Sequence, residues 1–298
     1  MRLYAAQGGL VRVNVPSAAN TTSGHSLDHV LRLRDSRTDA VGSVTPMRPS
    51  LLRVCAHVPG GSGSDSALTS LRVMLVADLV TRTAEVGGTQ AVTGHVVSNR
   101  QTALWLAATG VDPESLGIHP PVASAATVGE LPPPFDSPAD VNVISPGVLA
   151  DPGWSGLWTA VGAVHRGSGK TGGPLDAAGH HAGHDGDALA VRLALLSFPY
   201  YEPADLSGEV LSRARDRLAD WVRGVANWAE CPSIPVPARV MAKMRAALDT
   251  LDAASLIGLL DSLEADRGTP EGAMFETFVF ADRVLGLDLT RQVGQPQD

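Results

Sequence analysis

Aromatic and positively charged side chains are both scarce in this chain of 298 residues. Phe, Trp and Tyr together account for 4% of the sequence, and 23 Lys and Arg stand against 31 Asp and Glu, for a net charge of −8. Base stacking depends on exposed aromatic rings, and affinity for a phosphate backbone comes mainly from clustered cations. The composition therefore argues against a nucleic-acid partner and indicates cores built from small and aliphatic side chains.

Cysteines and long apolar runs are also lacking. Only Cys55 and Cys231 are present, without a CxxC pair, so neither a disulfide framework nor a cysteine-rich zinc site is predicted. The first residues lack the charged-then-apolar pattern of a signal peptide, and no apolar run reaches the length of about 20 residues that a membrane-spanning helix needs. We therefore expect a cytoplasmic protein with reduced thiols and no membrane partner.

The N-terminal half has the pattern of a small parallel α/β domain. Residues 1–30 are rich in Ser, Thr, Asn and Gly around one candidate edge strand at 10–15, and we interpret them as a variable extension. A strand, a loop, a helix and a second strand then form a βαβ unit, which implies a parallel sheet. The predicted elements are a hairpin at 31–46, a buried strand at 51–58, a Gly/Ser loop, a helix from 66 to the Gly87-Gly88 stop, and a strand at 92–97.

Residues 110–187 are dominated by Pro, Gly, Ala, Ser and His, which favour only short elements. The best candidates for returning strands of the same sheet are 141–144 and 157–161. We assign 31–176 to a reduced Rossmann-like domain and 177–187 to a Gly/His-rich linker.

Residues 188–298 are predicted to form a C-terminal helical domain, because apolar side chains recur there with a helical period. Ser207 is a plausible N-cap, and the last helix starts at Pro270 and stops at Gly286. Short connectors favour an antiparallel bundle. The predicted fold class is therefore α/β plus all-α, a Rossmann-like parallel sheet followed by an antiparallel helical bundle. The predicted helices occupy 188–197, the segment after Ser207, 238–251, 254–265 and 270–285.

Three stretches, in a consistent order along the chain, carry a family resemblance. They read LRLRDSRTDAVGSVTP with LLRVCAHVP, then ALTSLRVMLVADLVTRTAEVGG, then DALAVRLALLSFPYYEPADLSGEVLSRARDRLADW through VLGLDL. They resemble the cysteine-activating class I enzymes, a group comprising cysteinyl-tRNA synthetases and the mycothiol cysteine ligases, which join cysteine to a glucosaminyl-inositol. The resemblance implies ATP-dependent aminoacyl-adenylate chemistry. Asp78 and Arg82 stand at matching positions, and Cys55 stands where the family has a zinc ligand and substrate clamp.

The family's catalytic motifs are largely missing. Its His-x-Gly-His motif reads Ala67-Leu68-Thr69-Ser70 here, and neither Ala nor Ser replaces an imidazole that contacts the ATP phosphates. Only Lys170 has a counterpart in the family's Lys-Met-Ser-Lys-Ser loop. The other zinc ligands, a second cysteine and a His-His-Glu run, have no match near 136–150. Because zinc needs about four ligands, or three plus an open position, we expect none to be bound.

ATP is the cofactor that the sequence leaves open. The amides of the Gly/Ser loop can cradle an anion at a helix N-terminus, although the loop has neither a GxGxxG spacing nor a Walker lysine. The alternative is a plain loop with a helix cap. Lys170 follows Gly167-Ser168-Gly169, but Val164 replaces the first glycine of a Walker A pattern, so a solvated loop is again the alternative. The candidate ATP contacts are Gly60, Gly61, Gly63, Thr69, Ser70 and Lys170.

Two further candidates have ordinary alternatives. Cys55 is either a small core residue or a contact to a substrate thiol. A histidine cluster near the linker is either a transition-metal site or, because glycines flank it, part of a mobile polar linker. The cluster comprises His180, His181 and His184, with Asp185 and Asp187.

The sequence supports two main hypotheses. The leading one is a catalytically degenerate paralogue of the mycothiol cysteine ligases that acts in binding, regulation or partner interaction, with a nucleotide, another small molecule or a protein. The rival is a divergent active ligase that uses the loop at 60–65 and Lys170 for ATP and transfers an activated acyl group to an amine or thiol. A third hypothesis, tRNA binding through the helical domain, is disfavoured by the net charge.

Overall fold

The computed structural model describes residues 30–48, 50–59, 64–97, 112–148, 154–167, 185–266 and 268–295. The predicted strand at 10–15 and most of the predicted linker, at 177–184, lie outside these residues. Within them an α/β region is followed by a helical region, as the sequence predicts. No helix in this part of the chain is long and apolar enough to cross a membrane.

The α/β region begins with the predicted hairpin, in which β1 (Arg32–Arg34) pairs antiparallel with β2 (Val41–Ser43). The central sheet is parallel, and its described strands lie in the order β5, β4, β3, β6, β7. The chain therefore leaves β3 towards one side of the sheet and later returns on the other, which places the topological switch point between β3 and β6. These strands are β3 (Leu51–Val58), β4 (Gln90–Val97), β5 (Ala123–Ala125), β6 (Val141–Ile144) and β7 (Leu157–Ala160).

Elements pack on both faces of this sheet, as is usual for a parallel sheet. One face packs against α1 (Ser64–Val86), in which most side chains are buried, as is typical of a helix in a protein core. The other face is covered in part by a loop that contributes Leu131 and Phe135. Gly94 on β4 makes room for this loop, since a Cβ there would lie 2.9 Å from the Phe135 ring.

The helical region is built from amphipathic helices whose apolar faces meet. Ser207 caps one of them as predicted, because its side chain accepts the N–H of Val210 at 3.3 Å. The last helix ends at Gly286, which adopts the left-handed conformation (φ 62°) that glycine tolerates best. The described helices are α2 (Asp185–Leu196), α3 (Gly208–Trp228), α4 (Ala238–Asp249), α5 (Ala253–Glu264) and α6 (Glu271–Leu285).

Three features differ from the sequence-based expectations, of which the first is β5 (Ala123–Ala125), a three-residue strand that was not predicted. α2 begins at Asp185 rather than at 188. A short parallel pair, β8 (Val164–Arg166) with β9 (Ala204–Leu206), was not predicted. Each of its strands has three residues, too few for a recognisable alternation.

The α/β and helical regions share one hydrophobic core, which extends from the sheet and α1 into α2 to α6. A buried arginine on α1 reinforces the junction. Arg72 donates to the carbonyls of Gly162 at 3.1 Å and of Pro199 at 2.8 Å, and burial lowers its pKa to about 10. The helical region is therefore fixed to the sheet by both apolar packing and buried hydrogen bonds.

Candidate binding site at the carboxyl edge of the sheet

The carboxyl ends of the central strands place three polar or aromatic side chains on one face of the sheet. Asn142 on β6 pairs in register with Cys55 on β3 and with Trp158 on β7, so these side chains point to the same face. His57, two residues beyond Cys55, shares that face. Its Nε2 lies 3.0 Å from Asn142 Oδ1, and its ring centroid lies 5.1 Å from that of Trp158. Open parallel sheets bind ligands at this kind of edge.

Two hydrogen-bond donors on this face are buried without an acceptor among the described residues. They are the side-chain amide nitrogen Nδ2 of Asn142 and the indole nitrogen Nε1 of Trp158. The two side chains are 0% and 3% exposed. A buried polar group without a partner costs about 1–3 kcal/mol. Most buried donors are satisfied in folded proteins, so these two indicate a site where a ligand can accept their hydrogen bonds.

His57 adds an acceptor to this pair of donors. Burial lowers its pKa, and the hydrogen bond with Asn142 opposes that effect only in part, so the imidazole is neutral at pH 7. Because the amide oxygen of Asn142 accepts, the ring carries its proton on Nε2, and Nδ1 is left with a lone pair. The face can therefore offer two N–H donors, one ring acceptor and an aromatic surface to a ligand.

Cys55 lies on the same face but within an apolar cluster. The side chain is fully buried against Val96, Leu131 and Phe135. Burial raises the pKa of its thiol to about 12, so the sulfur is protonated at neutral pH. A thiol bound to zinc, or acting as a nucleophile, is a thiolate.

The positions of the family's His-x-Gly-His motif lie in the first two turns of α1 and are directed into the fold. Ala67 is buried. The Thr69 hydroxyl accepts the backbone N–H of Val164 at 3.0 Å, and the Ser70 hydroxyl donates to the carbonyl of Ser66 at 2.9 Å. The hydrogen bonds of both hydroxyls are therefore made with the protein backbone. The other candidate ATP contacts, Gly60, Gly61, Gly63 and Lys170, lie outside the described residues.

Asp78 and Arg82, which match the family pattern, belong to a buried ion network. The Asp78 carboxylate lies 2.7 Å from Arg192 of α2 and 2.8 Å from Arg82, and it accepts the backbone N–H of His119 at 3.1 Å. Burial by itself would raise the pKa of Asp78. A side-chain hydrogen bond with His119, whose Nδ1 lies 3.1 Å from the carboxylate, and the two guanidinium charges outweigh burial and hold the pKa of Asp78 well below its usual range. Asp78 is therefore a permanent anion that joins α1 to α2.

Arg192 extends this network to the end of the chain's last helix. Its guanidinium is fully buried and donates to the carbonyls of Leu116, at 3.0 Å, and of Leu285. Asp78, Arg82 and Arg192 together hold the α/β and helical regions to each other. The sequence contained no sign of this role for Arg192, which lies 114 positions from Asp78.

In the described part of the chain, no group of three or more His, Cys, Asp or Glu side chains is placed to hold a metal ion. The histidine cluster predicted near the linker, His180, His181 and His184, lies outside that part. Asp185 and Asp187 contribute their backbone to α2.

Sequence reasoning missed His57, Asn142 and Trp158. One signal was present, since Asn142 is a lone polar residue inside the apolar strand Val141–Ile144. His57 near the carboxyl end of a buried strand was a second. Neither signal identifies its partner, because strand order and register are set by tertiary structure.

No family model matches the chain. Three proteins similar to part of it are each described as an L-cysteine:1D-myo-inositol 2-amino-2-deoxy-alpha-D-glucopyranoside ligase. The one from Thermobispora bispora is 33% identical over 107 residues, which is 36% of this chain and 26% of that protein. The ligase from Acidothermus cellulolyticus is 33% identical over 103 residues, 35% of this chain and 25% of its own.

The third, from Streptosporangium roseum, is 33% identical over 111 residues, 35% of this chain and 26% of its own. The chain thus matches about a quarter of the length of these relatives. The similarity supports a ligase-like relationship for about a third of this chain, in agreement with the resemblance seen in the sequence.

Proposed function

We propose that this protein is a non-catalytic relative of the cysteine ligases that binds a nucleotide-like small molecule at the carboxyl edge of its sheet. The observation that carries this proposal is the state of Ala67 and Ser70, which occupy the positions of the family's two phosphate-contacting histidines. One is a buried methyl group, and the other donates its hydroxyl hydrogen to its own helix.

The loss of catalysis follows from the chemistry of adenylate formation. The reaction develops charge on the ATP phosphates, and removal of a single donor that stabilises such charge typically costs about 10²–10³ in rate. Neither Ala67 nor Ser70 offers such a donor in this fold. Cys55 adds to the argument because its thiol lies among Val96, Leu131 and Phe135, and no group of three or more candidate metal ligands is placed together in the described part of the chain.

Retention of binding is supported by the face that carries His57, Asn142 and Trp158. An adenine-like base has ring nitrogens that accept hydrogen bonds and an exocyclic amine that donates one. These groups complement the two unsatisfied donors and the one imidazole acceptor at the switch point. We therefore name an adenine nucleotide or an aminoacyl adenylate as the ligand class.

The alternative is a divergent, active ligase that couples an activated amino acid to an amine or thiol. It is favoured by one observation, that Asp78 and Arg82 occupy positions matching the family and are joined by an ion pair. In this case Gly60, Gly61, Gly63 and Lys170 would contact ATP.

Two measurements on the full chain separate these functions. Cysteine-dependent exchange between ATP and pyrophosphate measures adenylate formation, and calorimetry with ATP and a non-hydrolysable cysteinyl-adenylate analogue measures binding. We expect heat of binding for at least one ligand and no exchange. Detectable exchange would establish the active ligase, and the lack of heat with either ligand would overturn the assignment of a nucleotide site.

A pair of variants locates the site. Asn142→Leu removes the amide donor but keeps the branching of the side chain, and it is expected to weaken binding of the adenylate analogue by about tenfold, because one hydrogen bond is lost. The control, Glu209→Gln on the exposed face of α3, should leave the affinity unchanged. An Asn142→Leu protein that is folded and binds normally would exclude this face.

A further inference from the structure

A cavity of about 320 Å³ lies where the β1–β2 hairpin meets the helical region. One wall comes from the hairpin, a second from the segment 199–201 that follows α2, and a third from the turn between α4 and α5. Pockets for small molecules begin at about this size and often lie at junctions between parts of a fold. None of its lining residues belongs to the site at the carboxyl edge of the sheet.

The hairpin supplies two arginines to this cavity. Arg32 and Arg34 both line it and flank the buried Leu33, so they share the face of β1 that Leu33 does not. Arg34 is paired, with Nε 2.6 Å from the carboxylate of Asp39. Among the described residues, Arg32 has no hydrogen bond or ion pair through its side chain.

Two carboxylates line the cavity, those of Asp39 and Asp252, and the second of them caps the N-terminus of α5. Asp252 precedes α5 and accepts the backbone N–H of Ser255 at 2.9 Å and its hydroxyl at 2.6 Å. A carboxylate at a helix N-terminus is stabilised by the helix dipole. Arg34 and Asp39 pair with each other and Asp252 caps α5, so Arg32 is the charged lining residue whose hydrogen-bond donors are left without a partner among the described residues.

Two tyrosines, Tyr200 and Tyr201, form an aromatic wall of the same cavity. Tyr201 is 45% exposed, and its ring packs edge-on against Tyr200 with 5.2 Å between centroids. The hydroxyl of Tyr200 accepts the backbone N–H of Arg34 at 3.0 Å, which fixes the pair of rings to the hairpin. Val41, 65% exposed, and Leu251 add apolar surface.

We propose that this cavity binds a small acid with a planar or apolar body, whose anionic group pairs with Arg32 and whose body packs against Tyr201 and Val41. A guanidinium forms paired hydrogen bonds with carboxylates and with phosphates, so both groups satisfy the chemistry. Tyr201 supplies a broad surface that loses little conformational freedom on binding. The acid would bridge the hairpin and the helical region.

The test is a titration of the full chain, with methyl-labelled valine and leucine, monitored by two-dimensional NMR. The probes are benzoate and phenyl phosphate, with benzyl alcohol as the neutral counterpart. We expect at least one acid to shift the methyl signals of Val41 and Leu251, and the alcohol to shift them much less. Which acid binds more tightly identifies the anionic group. An absence of shifts with both acids, or equal binding of the alcohol, would overturn the proposal.

Variants assign the charge to Arg32. Arg32→Gln should weaken binding of the acid by about tenfold, as expected for the loss of a charge-assisted hydrogen bond. The matched control, Arg223→Gln, removes another exposed guanidinium, on α3, and should have no effect. Arg32→Lys keeps the positive charge and should weaken binding less than Arg32→Gln. It also serves as the test variant if Arg32→Gln does not fold. Unchanged affinity in both Arg32 variants would overturn the assignment.

This cavity can be tested separately from the nucleotide site. Arg32→Gln should leave the heat of binding of the adenylate analogue unchanged, because Arg32 lies on the hairpin rather than at the carboxyl edge of the sheet. Asn142→Leu should conversely leave the methyl shifts caused by the acids unchanged. The failure of one proposal can therefore be told from the failure of the other.

Discussion

The beginning and the middle of α1 use their polar side chains differently. In the first two turns, Thr69 and Ser70 stand in place of a catalytic motif and form hydrogen bonds with the backbone. In the middle of the helix, Asp78 and Arg82 keep residue types that match the family and form a buried ion network with Arg192. Both parts stabilise the fold, but only the first occupies positions that act on substrate in the enzymes.

The difference indicates which residues a fold can exchange at low cost and which it cannot. A histidine that contacts ATP contributes to catalysis, so its loss need not destabilise the protein. A buried carboxylate that neutralises two guanidiniums cannot be lost alone, because the charges it leaves behind are costly. Retention of Asp78 and Arg82 is therefore consistent with structural need and does not require activity.

The largest effect is expected at Asp78. Asp78→Asn leaves Arg192 fully buried without a counter-charge and should lower the free energy of unfolding by about 3–5 kcal/mol, as measured by urea denaturation. Asp220→Asn, which breaks an exposed pair with Arg223, is the control and should cost less than about 1 kcal/mol. If Asp78→Asn lowers the free energy of unfolding as little as the control does, the fold does not require the Asp78 network.

The next prediction concerns the reactivity of the two cysteine thiols in the native protein. Because burial raises the pKa of Cys55 to about 12, its thiolate fraction is about a thousandfold below that of an ordinary cysteine. A thiol reagent at mild alkaline pH should therefore label Cys231 and spare Cys55. Cys231→Ser should abolish labelling until denaturant is added, and rapid labelling of that variant in its folded state would return Cys55 to the candidates for a substrate contact.

The smallest effect concerns Thr69. Thr69→Val keeps the shape of the side chain but leaves the buried N–H of Val164 without its acceptor, which should lower the free energy of unfolding by about 1–3 kcal/mol. Affinity for the adenylate analogue should stay unchanged. Ser262→Ala, on the exposed surface of α5, is the control, with an expected change within about 0.5 kcal/mol. A stable Thr69→Val protein with weakened binding would make Thr69 a ligand contact.

Much of the fold was predictable because its signals are local. The alternation around residues 35–39 predicted the β1–β2 hairpin, and the apolar run ending at the Gly/Ser loop predicted β3. Ser207 and Gly286 marked helix ends through their own backbone chemistry. The pair β8–β9 escaped because its short strands are held by partners in another region.

The candidate site was predicted less well. Thr69 and Ser70 were selected because they align with a catalytic motif, yet their hydroxyls point to backbone partners. The face with the unsatisfied donors was missed because a lone asparagine in an apolar strand does not reveal what lies beside it. Sequence separation is the physical obstacle, since His57 and Asn142 are 85 positions apart.

The sequence by itself determined the classes of element and the absence of a His-x-Gly-His motif at residues 67–70, because composition, periodicity and motifs are properties of neighbouring residues. The tertiary structure alone decided which polar groups meet. Strand order placed His57 beside Asn142 and Trp158, helix packing placed Arg192 on Asp78, and the hairpin brought Arg32 to the same cavity as Tyr201. Such contacts depend on register and packing between distant segments, which no local pattern encodes.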